Sequence, residues 1–114
     1  MWTINLKENA PPLDVAIAQF EIELEKAKFA KERAVKVLHG YGSHGRGGAI
    51  LLEIRKLLAK MKKEKAIEDF FFGDRWNSYD KQTSKLLMQD KSLSDDEDLN
   101  KSNPGITIIV LKQK

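Results

Sequence analysis

Five of the seven glycines in this 114-residue chain fall between Gly40 and Gly48, and they separate two runs of opposite periodicity. Before them, Ala34, Val35, Lys36, Val37 and Leu38 form a short β-branched run that reads as a strand. After them, Ile50, Leu51, Ile54, Leu57, Leu58 and Met61 recur at helical spacing, with Glu53, Arg55, Lys56 and Lys60 outside the stripe. A strand, a glycine turn and a helix in direct succession mark a βα unit and point to the α/β class.

The rest of the chain extends that unit. Trp2, Thr3, Ile4, Asn5 and Leu6 alternate apolar and polar side chains, as a half-buried strand does. Pro11 and Pro12 interrupt the chain, and Leu13, Ala16, Ile17, Phe20, Leu24 and Ala27 then trace one face of an amphipathic helix. A third strand is expected over 66–72, ended by Gly73. From 74 to 104 the composition turns polar and irregular, apart from a short helix expected around 83–89. Pro104 and Gly105 then open Ile106-Thr107-Ile108-Ile109-Val110-Leu111, the strongest strand signal of the sequence.

The order is therefore β-α-β-α-β-β, with a polar excursion before the last strand. Strands alternating with single helices predict right-handed crossovers and a largely parallel sheet, which the last strand is free to join antiparallel. The expectation is a two-layer α/β sandwich, a single domain over 1–114 with 74–104 as an irregular insertion.

An apolar fraction of 41% is enough for one core in a chain this short. The absence of cysteine excludes disulfides, thiolate chemistry and Cys-ligated zinc or iron–sulfur sites. No apolar run approaches the ~18 to 20 residues of a membrane span, and the N-terminus lacks a signal pattern. A cytoplasmic protein with no membrane partner, no cofactor and no metal is expected.

The glycine turn carries the most chemistry. Glycine allows positive φ and close approach of a ligand to the main chain. A helix starting near Gly48 would present unpaired N–H groups and the positive end of its dipole, both suited to an anion. Arg46 can add a bidentate phosphate contact. No Gly-Lys-Ser/Thr closes the turn and no acid ends the following strand, so the P-loop and dinucleotide patterns both fail. His39 ends a strand where open α/β sheets place ligands, and its ordinary pKa near ~6.5 makes it the candidate general acid or base. A hydrogen-bonded structural histidine is the plainer alternative for His39, and a solvated loop residue that for His44.

Leu38-His39-Gly40-Tyr41-Gly42, leading through the glycine turn into Ile50-Leu51-Leu52-Glu53-Ile54-Arg55-Lys56-Leu57-Leu58, resembles the Smr (small MutS-related) domain. Its signature is an apolar strand, His-Gly-x-Gly and a helix. The resemblance extends to the first strand, the first helix and the closing strand. It implies a nucleic-acid ligand, DNA or RNA, and an endonuclease activity as the alternative. His39, Gly40 and Gly42 fall on the motif. The phosphate-binding set expected around it is Lys7, His39, Gly40, Tyr41, Gly42, Ser43, His44, Gly45, Arg46, Gly47 and Gly48, with His39 the one catalytic candidate. Where the family's first strand ends Leu-Asp-Leu-His, this chain has Ile4-Asn5-Leu6-Lys7. An amide and an ammonium thus replace a carboxylate and an imidazole, which favours binding over cleavage.

Other features have simpler expectations. Arg55, Lys56, Lys60, Lys62, Lys63 and Lys65 form either a phosphate-tracking surface or a solvated helix face with cations near its C-terminus. Asp95, Asp96, Glu97 and Asp98 lack the spacing of a calcium loop and read as a solvated acidic loop. Trp76 and Tyr79 read as caps on the core rather than base-stacking rings. Val15, Ile22 and Phe29 keep a seven-residue step off the main stripe of the first helix, a candidate contact for a scaffold partner or a second subunit.

Overall fold

The computed structural model describes residues 1–8, 11–41 and 46–113, with the backbone alone for Arg46 and Gly47. The alternation at the N-terminus produces strand β1 (Trp2–Asn5). Helix α1 (Leu13–Phe29) starts directly after Pro12, whose carbonyl accepts from Ala16 N at 2.9 Å. It buries Ala16, Phe20, Leu24 and Ala27. Strand β2 (Ala34–Leu38) and helix α2 (Arg46–Lys63) follow, the helix beginning ahead of the expected Gly48.

The third strand, β3 (Asp69–Phe72), is shorter than the expected 66–72. Ala66 N donates to the Met61 carbonyl at 2.8 Å around Lys65, which holds a left-handed φ of 63°. Those residues therefore complete the cap of α2 before the strand can begin. A 3₁₀ turn Gly73–Arg75, helix α3 (Lys81–Gln89), a second 3₁₀ turn Lys91–Asp95 and strand β4 (Ile106–Val110) complete the chain.

The sheet order is β1-β2-β4-β3. β1 and β2 are parallel, while β4 pairs antiparallel with both β2 and β3. The expectation of a largely parallel sheet is thus corrected: the three strands ahead of β4 share one direction, but the last strand separates β2 from β3. Its unbroken apolar run suits an interior strand buried on both faces, and the four-residue strands β1 and β3 take the edges.

Both long helices lie on one face, forming the expected α/β sandwich. There Phe20 and Leu24 of α1 and Ile50, Ile54 and Leu58 of α2 pack with Ile4, Val35, Val37 and Ile109. The other face is covered as well. Trp76, Leu86 and Leu93 from the excursion pack on Ala34, Phe71, Ile106, Ile108 and Val110, forming a second core. The segment expected as an irregular insertion is an ordered layer, helical in part.

The acidic run is what fastens it. Lys36 projects from the middle of β2 into this layer, and its Nζ donates to Asp96 Oδ1 at 2.9 Å and Asp98 Oδ2 at 2.7 Å. Asp96 also accepts from the buried Trp76 indole at 3.0 Å. Asp96 and Asp98 are therefore drawn inward rather than solvated, because an ammonium buried on the sheet needs counter-charges. Trp76 is fully buried as expected, whereas Tyr79 is 96% exposed and caps nothing.

Candidate functional site

β1, β2 and β3 all end on one edge of the sheet, and β4 begins there. His39 and Gly40 follow β2 directly, and their N–H groups both donate to the Gly105 carbonyl, at 3.0 and 3.1 Å. Gly40 takes φ +76°, a conformation that a side chain would strain. Gly105 is limited by space instead: a Cβ there would come 3.2 Å from Asn103 Oδ1 and 3.4 Å from the Tyr41 ring. Asn103 accepts from Gly105 N at 2.8 Å and donates to Asp98 at 3.0 Å. The start of the glycine turn is thereby tied to the Lys36 cluster through Gly105, Asn103 and Asp98.

His39 is fully buried on the helix-bearing face. Its Nδ1 lies 2.6 Å from the Gly40 carbonyl, which only accepts, so Nδ1 carries the proton. Nε2, 2.8 Å from Thr107 Oγ1, then accepts from that hydroxyl. Burial pushes its pKa below the ordinary 6.5; the Gly40 bond opposes this, and the positive charge of Arg55 reinforces it. His39 is therefore neutral at pH 7 with both ring nitrogens occupied. In this arrangement it braces the turn against β4 and offers no free nitrogen as acid or base.

Of the remaining expected residues, Tyr41 is exposed beside Gly105, and Gly48 lies in the first turn of α2. That turn carries no acidic residue, so the helix supplies no carboxylate of its own to neutralise its positive end. Lys7 is exposed just beyond β1, where Asn5 Oδ1 accepts from the N–H groups of Lys7 and Glu8, both at 3.1 Å. Asn5 thus shapes the turn that sets the direction of Lys7. The positive charge of Lys7 is among the influences that lower the Asp98 pKa. Gly42, Ser43, His44, Gly45 and the side chains of Arg46 and Gly47 lie outside the described residues.

The C-terminal part of the basic run lies far from the start of α2. Lys60, Lys62 and Lys63 occupy the last turn of α2, roughly 20 Å along the axis from its start at 1.5 Å per residue. Lys62 is paired there with Asp69 at 2.9 Å. Cations at the negative end of a helix dipole account for them. Arg55 alone of the run turns inward, its guanidinium 3.9 Å above the Phe72 ring.

The supports Asn103, Gly105 and Thr107 were not among the expected site residues. The Asn-Pro-Gly turn signal was visible in the sequence, but its pairing with His39 depends on β4 lying beside β2. Among the described residues no three His, Asp or Glu side chains come together to hold a metal ion, and no helix is long and apolar enough to cross a membrane. No family model matches this chain, and no curated protein or solved structure matches it either.

Proposed function

We propose that this chain binds nucleic acid, DNA or RNA, through phosphate contacts at the glycine-rich turn leading into α2, as an Smr-type domain that holds its ligand without cutting it. The observation that carries this reading is the start of α2: an 18-residue helix with no acid in its first turn, beginning at the carboxyl edge of the sheet. Backbone N–H groups and the helix dipole both favour an anion there. Cleavage is disfavoured because Asn5 and Lys7 stand where the family carries an acid and a histidine, and because His39 has no free ring nitrogen.

The test is a salt titration of binding to single- and double-stranded DNA and RNA. Affinity should fall linearly on a log–log plot, with a slope counting the phosphates neutralised. Absence of binding at low salt, or indifference to salt, overturns the reading. Plasmid nicking and RNA cleavage, with and without divalent metal, are expected to stay at background; activity lost in His39→Ala would restore the nuclease.

A second reading rests on α1, where Val15, Ile22 and Phe29 are 51%, 58% and 90% exposed along one line of the helix. This stripe is taken as the docking face for a second copy of the chain.

A further inference from the structure

Among the described residues, one buried polar side-chain atom has no hydrogen-bond partner: Nε of Arg55. The guanidinium is held against the Phe72 ring, and none of the ion pairs among the described residues includes it. The Arg55 side chain as a whole is half-buried, but its Nε is shut off from water, and an orphaned buried donor in a folded protein calls for a cause. Packing on Phe72 supplies part of it, since a cation over a ring is worth about 0.5 to 2 kcal/mol. That contact uses the face of the guanidinium and leaves its in-plane N–H donors for another partner.

Its surroundings favour an anion. Burial lowers the His39 pKa and the Arg55 charge lowers it further, so these two groups share one field at the carboxyl edge of the sheet. Gly48 and Arg55 are separated by about two helical turns, which puts them on one face of α2 roughly 10 Å apart along the axis. At ~3.4 Å per nucleotide of a duplex strand, that is about three nucleotides.

We propose that Arg55 is a phosphate-binding residue: its guanidinium, fixed on Phe72 and without a carboxylate among the described residues, takes a phosphate group of a strand that has another phosphate, about three nucleotides away, at the start of α2. This rests on the nucleic-acid reading and adds a second anchor to it, one that selects for a backbone running along the helix rather than ending at its tip.

The experiment uses the full chain with two probes. In the first, inorganic phosphate is titrated at low salt while the Arg55 Nε–H resonance and the amides of Gly48, Ala49 and Ile50 are followed by NMR. Saturable movement of Arg55 is expected. In the second, a 12-nucleotide single strand and its duplex are bound across a salt series by wild type, Arg55→Gln, Arg55→Lys and the remote control Lys60→Gln. Arg55→Gln should weaken duplex binding about tenfold and reduce the salt slope by about one. Arg55→Lys should keep the slope and lose part of the affinity, because the charge remains and the fork does not.

Movement of the helix-start amides with Arg55 unmoved overturns the Arg55 site and leaves the nucleic-acid reading intact. An Arg55 response to phosphate without binding to either oligonucleotide keeps the site and overturns nucleic acid as its ligand. No response to either probe overturns both. The phosphate titration needs no variant, so poor folding of Arg55→Gln cannot mask the answer.

Discussion

Lys36 runs from the centre of β2 across an apolar face, and its ammonium ends between Asp96 and Asp98. Burial opposes the charge on Lys36, but the bonds and charges of Asp98 and Asp96 outweigh it and raise its pKa. Burial likewise acts to raise Asp98, and the bonds from Lys36 and Asn103, with the charges of Lys36 and Lys7, bring it below the ordinary 3.8. The signs define a window. The Asp98 contribution is present above the unfolded carboxylate pKa and lost as pH falls through the lower folded value. The Lys36 contribution is present below 10.5 and lost as pH rises through the higher folded value. Lys36→Met removes one member of a buried cluster and strands two carboxylates, at a cost of about 3 kcal/mol measured by urea unfolding at pH 7. A loss under 1 kcal/mol would mean that the cluster is solvated in solution.

His39 shares the sign of Asp98 and opposes that of Lys36. Its folded pKa is depressed, so the unfolded chain binds the proton more readily and stability falls as pH drops below 6.5 toward the folded value. His39→Gln should flatten the urea midpoint across that window while keeping one hydrogen bond of the turn. An unchanged pH profile would place the lowered pKa elsewhere. The sequence marked His39 as important but left its role open. Strand-end position suits both a reacting group and a brace, and only the pairing of β2 with β4, which brings Thr107 to its Nε2, separates them.

At the level of elements, the chain leaves the sheet for the excursion layer through Gly73. Here glycine is required by space rather than by φ: a Cβ would stand 1.7 Å from the Asn103 carbonyl oxygen, with Ile106 at 3.0 Å. Gly73→Ala must push the 3₁₀ turn away from the strand that follows Asn103, costing about 3 kcal/mol. Gly105→Ala meets the Asn103 side chain at 3.2 Å, a group that can give. Urea unfolding of the two variants should therefore rank Gly73→Ala as the worse, and equal losses would count against the close approach. Local periodicity made α1, β2 and the body of α2 legible, since each owes its face to its own residues. The helix around 83–89 and the burial of Trp76 were legible, but their assembly with Leu93 into a layer was not, because the three core residues are spread over 18 positions of largely polar sequence. One signal did point to it. The run from Ile106 to Leu111 is almost wholly apolar at both parities, and such a strand needs cover on both faces.

At the scale of the whole molecule, both faces of the sheet are covered, so the exposed apolar line on α1 serves neither core. Around Val15, Ile22 and Phe29, the half of α1 before Ile22 carries Asp14 and Glu21, while Glu23, Glu25, Lys26 and Lys28 share the half beyond it, where Lys26 pairs with Glu23 and Lys28 with Glu25. Two copies laid antiparallel with Ile22 at the centre would set Phe29 of each against Val15 of the other. A 17-residue helix is only about 26 Å long. Its contact falls short of the ~800 Å² per partner of a stable complex, so association should be weak and reversible. Sedimentation velocity is expected to show monomer at low micromolar concentration and a growing dimer fraction toward roughly millimolar, the range a small interface supports. Phe29→Glu should abolish the dimer without lowering stability, because the ring is already in water. A monomer at every concentration, or a dimer that survives Phe29→Glu, would remove the α1 stripe as its interface.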